Sequence, residues 1–132
     1  MIKNTTYQEV PILIQDTLAA GSTKDYTFEL SASGRIKKVH IKFATGENGT
    51  LHIHPFVIQN GEIPTEILKF AAGSQNYVAG DDEHFDFDCY LPVENHAVLH
   101  VIADNTGAAP SMVDVAVIVE YFNAIRHDGV IN

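Results

Sequence analysis

The chain has no tryptophan, a single cysteine and two methionines in 132 residues. One cysteine excludes an internal disulfide, so the fold must be held by burial and hydrogen bonding. Basic residues are also scarce. Eight Lys plus Arg stand against seventeen Asp plus Glu, a formal charge of −9 with histidine neutral. Nucleic-acid or anionic-membrane binding draws on an excess of positive charge, so neither is expected. No apolar run approaches the roughly 20 residues of a membrane-crossing helix. Met1 to Thr6 is polar and lacks the apolar centre of a secretory leader, which points to maturation in a reducing cytoplasm. The G-x-S-x-G, phosphate-loop and H-E-x-x-H patterns are all missing.

What is present is a foldable core. Hydrophobic residues make up 45% and charged residues 19%, in a length that suits one domain. Period two dominates. Tyr26, Phe28 and Leu30 alternate with polar residues, as do Val39, Ile41 and Phe43. Phe85, Phe87, Cys89 and Leu91 alternate with His84, Asp86, Asp88 and Tyr90, and Val113 to Val119 repeat every second position. Such alternation marks strands with one buried face. Cys89 shares the buried parity, which predicts an inert thiol.

Turn residues separate the runs, including Asn48-Gly49, a hairpin signal, and Asn60-Gly61. About eight strands are expected, near 9–15, 23–30, 35–44, 50–59, 64–71, 83–91, 96–103 and 111–122. The segment 62–73 also suits a short helix with Pro64 in its first turn, and the meander around it favours a strand. Ala97 to Ala103 is apolar enough to be covered on both faces. Pro11 suggests an edge strand, because proline cannot donate to a ladder. The expected fold is all-β: a jelly-roll or Greek-key sandwich of about eight antiparallel strands over 9–122. Residues 1–8 and 123–132 are read as terminal arms.

Three groups of residues invite a chemical reading. His52 and His54 share one strand face, and an Asn48-Gly49 hairpin would bring His40 beside them. Gly46, five residues, then His52-x-His54 resembles the start of the first cupin motif, which implies a jelly-roll barrel holding a metal through His52, His54 and either His40 or His100. Where the motif has Glu this chain has Gln59, and the second motif is not recognisable from Pro92 to His100. Two histidines without a carboxylate favour no metal and no catalysis. The second group is Asp81, Asp82, Asp86 and Asp88, whose oxygens suit calcium but lack EF-hand spacing; a solvated acidic face is the preferred reading. No cofactor is expected.

The third group is a charge imbalance. Arg35, Lys37, Lys38 and Lys42 are half of the basic residues and lie on one predicted strand. They either pair with acids across the sheet or meet acids on another subunit. The outward apolar residues Phe56, Ile58, Ile118 and Phe122 complete a candidate interface. Tyr90, Phe56 and Tyr77 are the aromatic residues that a sugar platform would use. Seven added charges would take the chain from −9 to −2 if every histidine protonated, so assembly or solubility should change between about pH 7 and 5. Light scattering that stays flat across that range would refute this.

In overall character the chain resembles the accessory (decoration) and tail or fibre proteins of tailed bacteriophages: small, strand-dominated, acidic, without a leader or catalytic motif, and flanked by short arms. The resemblance implies a non-catalytic virion protein made in the host cytoplasm. It would assemble with itself and with other virion proteins, without nucleic acid or membrane. The alternatives are a carbohydrate-binding module with calcium support and the cupin-like metal protein.

Overall fold

The computed structural model describes residues 4–59, 63–69 and 75–125. Eight strands are present: β1 (Asn4–Leu18), β2 (Thr23–Glu29), β3 (Gly34–Phe43), β4 (Leu51–Ile58), β5 (Thr65–Glu66), β6 (Glu83–Val93), β7 (Val98–Asn105) and β8 (Ser111–Ile125). They form two four-stranded sheets of order β1-β8-β3-β6 and β2-β7-β4-β5. Every neighbouring pair is antiparallel. Apart from β4–β5, each connection passes from one sheet to the other. That winding is the jelly roll. Among the described residues no helix is long and apolar enough to cross a membrane.

The inner faces follow the alternation. Val113, Val115, Val117 and Val119 on β8 are buried and meet Leu51, Ile53, Val57, Leu99 and Val101 of the other sheet in one core. Each such side chain contributes about 1.5–3 kcal/mol by leaving water. Phe85, Phe87, Cys89 and Leu91 pack against the same core and are half-buried, because β6 is an edge strand. Pro11 does lie on an edge strand, β1. Pro55 lies on β4, where Ile53 turns its N–H and C=O toward Val78 rather than β7. Two residues on, the missing proline donor faces that same side and costs β7 nothing.

The strand register has one irregularity that simple alternation hides. Ile36 and Val39 are both buried although three residues apart. The register of β3 shifts between Ile36 and Lys38 against both β6 and β8. This bulge lets Lys37 and Lys38, adjacent in sequence, both lie outside the core. Gly34 opens β3 under steric demand: a Cβ there would stand 2.0 Å from the Glu120 carbonyl oxygen.

Several expectations need correction. Asn48-Gly49 does not close a hairpin, since 44–50 carries the chain from one sheet to the other. The strand expected at 64–71 shrinks to Thr65–Glu66, paired with Val57 and Phe56, and 70–74 lies outside the described residues. The supposed arms are partly strand, because Asn4 pairs with Ile125 and the ladder continues from there; 1–3 and 126–132 lie outside the described residues. The outer side of β7 (Val98, His100, Ile102) is only half covered.

Candidate interaction surface

The outer face of the first sheet is divided lengthwise. Cross-strand register places Leu13, Ala116, His40 and Asp86 in one row, and Pro11, Ile118, Lys38 and Asp88 in the next. In these two rows the β1/β8 side is therefore apolar and the β3/β6 side is charged, while the rows on either side pair Gln15 with Asp114 and Glu9 with Glu120. Leu13 is 63% exposed, Met112 54% and Phe122 44%, all on the outer face of β1 and β8. Large apolar side chains grouped on an outer sheet face are unusual unless something covers them.

Around the basic strand β3, acids on β8, β6 and β1 answer its charges. Arg35 Nε donates to Glu120 Oε1 at 2.6 Å. Lys37 Nζ donates to Glu9 Oε2 at 2.8 Å and lies 3.4 Å from Glu120 Oε2. Lys38 Nζ stands 3.7 Å from Asp88. The Arg35 guanidinium holds the Glu120 carboxyl below its usual range, and Glu9 holds the Lys37 ammonium above its own. Of the two readings of this strand, pairing inside the fold is the one observed for Arg35, Lys37 and Lys38. Lys42 is exposed, between Asp114 and His84 in its row.

The histidines separate. His40 lies on the first sheet, and His52 and His54 lie on the second, so the three do not meet. His52 stacks on Tyr77 with centroids 3.7 Å apart, and His54 Nε2 meets Glu66 at 2.7 Å. His100 Nδ1 meets Asp25 at 2.9 Å. A cupin-like centre from His52, His54 and His40 or His100 is therefore not assembled. Phe56 is 8% exposed, stacked on His100 at 4.7 Å, and drops out as an exposed contact and as a sugar platform. Ile58 is half-buried beside Val98.

The four aspartates of the acidic stretch also have separate tasks. Asp81 accepts N–H groups from Gly46 and Asn48, at 2.7 and 3.0 Å. Asp86 faces His40 and His84, Asp88 faces Lys38, and Asp82 is exposed. They do not converge on a calcium-sized cage. Among the described residues, the group of metal-capable side chains that does converge is His40, His84 and Asp86. The Cys89 thiol is half-buried, and burial pushes its pKa up, as its parity predicts for an inert thiol.

At one end of the sandwich a cleft of about 460 Å³ lies between 44–50 and 107–112. Glu47 spans it. One carboxylate oxygen accepts from Ala44 N and the other from Met112 N, both at 3.1 Å, and burial raises its pKa. Both oxygens are thus engaged in holding the loops.

No protein-family model and no curated protein matches the chain. Solved structures do. One is CBM32-1 from a family 31 glycoside hydrolase of Clostridium perfringens, at 18% identity and a TM-score of 0.49, covering 78% of this chain and 75% of that one. Another is the structure of infectious bursal disease virus, Gx strain, at 12% identity and a TM-score of 0.31, covering 91% of this chain. This chain spans 32% of that viral chain.

The apolar half-face was only partly legible. Val10-Pro11-Ile12-Leu13-Ile14 is continuously apolar, so alternation could not tell which members point outward. Ile14 is buried and Ile12 half-buried, which turns Leu13 out.

Proposed function

We propose that the protein is a non-catalytic structural component of a virion, a capsid-decoration or tail-associated protein, made in the host cytoplasm and acting through assembly with itself and other virion proteins. The observation that carries the reading is the exposure of Leu13 on an edge strand, in register with Ala116 and beside the Pro11–Ile118 row, with Met112 and Phe122 exposed farther along β8. An apolar strip at a sheet edge favours a protein partner, because burying it releases water at about 25 cal/mol per Å². The paired charges beside it suit a polar rim around such a contact.

Sedimentation velocity tests this. The wild-type chain should sediment as an oligomer or with isolated capsids, and Leu13→Asp should abolish that association while keeping the folded spectrum. A wild-type chain that is monomeric and ignores capsids overturns the reading.

One observation favours a carbohydrate-binding module instead. Tyr90 is 52% exposed, stands at φ 53° in β6, and has the Arg35 guanidinium 5.4 Å from its ring centroid. An exposed ring beside a hydrogen-bond donor is how a sugar face is often met. Glycan-array binding that disappears in Tyr90→Ala would move the assignment to this reading.

A further inference from the structure

We propose that His40, His84 and Asp86 form a binding site for a zinc-class divalent transition-metal ion on the outer face of the β3/β6 edge. The site follows from strand geometry. His84 and Asp86 are two residues apart on β6 and therefore project from the same face. His40 lies on β3 directly opposite Asp86. One ligand atom from each of the three lies within 4.8 Å of the others. His40 Nδ1 contacts Asp86 Oδ1, and His84 Nε2 lies 3.1 Å from the same oxygen.

A tetrahedral zinc ion with bonds of about 2.0–2.1 Å sets its ligand atoms roughly 3.3 Å apart. The His84–Asp86 separation is close to that already. On binding, the proton on each facing ring nitrogen moves to the ring's other nitrogen or, from a protonated ring, to solvent, and the Asp86 oxygen that both rings face becomes the third ligand. The two rings stack at 29° with centroids 6.0 Å apart, and one nitrogen of each faces the same Asp86 oxygen from neighbouring strands of a hydrogen-bonded sheet. The fourth position opens to solvent, as all three side chains are partly exposed.

Chemistry selects the ion. Two imidazoles among three donors suit Zn(II), Ni(II) or Cu(II), whereas calcium and magnesium take oxygen donors. Two lysines flank the site, Lys38, which faces Asp88, and Lys42, opposite His84, while the protein's overall charge of −9 draws cations toward it. The site lies on the opposite edge of the sheet from β1, so it stands or falls separately from the assembly surface.

Isothermal titration of the full chain with zinc chloride decides the matter. The expected result is one ion per chain and no heat with calcium chloride. His84→Ala and His40→Ala should each weaken zinc binding by on the order of tenfold or more, since loss of even an outer-shell partner costs about 10–100-fold. His84 is well exposed, so its replacement leaves the fold intact. His96→Ala, remote and paired with Glu29, should bind zinc like wild type. No zinc uptake by the wild type, or uptake that survives His84→Ala, overturns the proposal.

Discussion

Arg35 Nε and Glu120 Oε1 meet at 2.6 Å across β3 and β8, and Glu120 is 6% exposed although it lies on the outer face. The carboxylate also has Lys37 within 3.4 Å. Both cations stabilise its charged form, so its pKa lies below the ordinary value of 4.5, the Arg35 hydrogen bond being the larger cause. A carboxyl whose pKa is depressed on folding contributes stability that is fully present above its unfolded value. That contribution disappears as pH falls through the folded value. Wild-type Tm should therefore drop when the pH is lowered from 6 toward 3. Glu120→Gln should lower Tm at pH 6 and flatten its dependence below about pH 4.5. Equal acid sensitivity in the two proteins would refute the assignment.

The contrast between inner and outer residues gives a second test. Ile41 is 1% exposed in the core, and Leu13 is 63% exposed. Ile41→Ala removes buried methyl groups and leaves a cavity, at a cost of about 2–5 kcal/mol. Leu13→Ala touches little within the fold and should stay within about 0.5 kcal/mol. Denaturant midpoints at a concentration where the protein is monomeric should separate the two. If Leu13→Ala is as costly there as Ile41→Ala, the outer position of Leu13 is wrong.

Strand content was legible because one face of each strand is dry. Val113, Val115, Val117 and Val119 read as an inward row and are one. The strand partners were not legible, since alternation records which face is buried and not which strand lies alongside. Asn48-Gly49 has hairpin chemistry, yet Asn48 at φ 50° and Gly49 at φ 74° turn the chain between sheets. Hence His40 and His52, which a hairpin would join, part company, while His40 and Asp86, 46 residues apart, meet. In the sequence His40 belongs to the histidine group and Asp86 to the acidic stretch, and only long-range register brings the two together. Phe56 misled for another reason. Its parity is outward, but stacking on His100 covers it.

Gly34 supplies a test of backbone packing. A Cβ at this position would lie 2.0 Å from the Glu120 carbonyl oxygen and 2.9 Å from the Tyr121 Cα. Both are backbone atoms of β8, held by the β1 and β3 ladders, so neither can swing aside. Gly34→Ala should therefore destabilise by more than the ordinary 1–3 kcal/mol or so of overpacking. Ser33→Ala, at the exposed neighbouring position, is the control. Thermal melts of the pair measure the difference, and a Gly34→Ala protein as stable as wild type would contradict the close approach of β3 to β8.

Asp81 ties the connection 44–50 to the start of β6. Its Oδ1 accepts from Gly46 N at 2.7 Å and from Asn48 N at 3.0 Å, with Gly46 at φ 95° and Asn48 at φ 50°. Hydrogen bonds to a charged acceptor contribute about 1.5–3 kcal/mol, and here they hold backbone in the left-handed region, which Asn48 enters at some cost. Asp81→Ala removes both acceptors at once. Hydrogen exchange at the Gly46 and Asn48 amides should accelerate strongly in this variant. The amides of Ile53 and Leu99, in β4 and β7, should exchange at nearly their original rates. Asp81→Asn keeps the side-chain oxygen and should restore most of the protection. If Gly46 and Asn48 exchange equally fast with and without Asp81, the loop is held by other contacts, of which Glu47 to Ala44 N and Met112 N is the next to test.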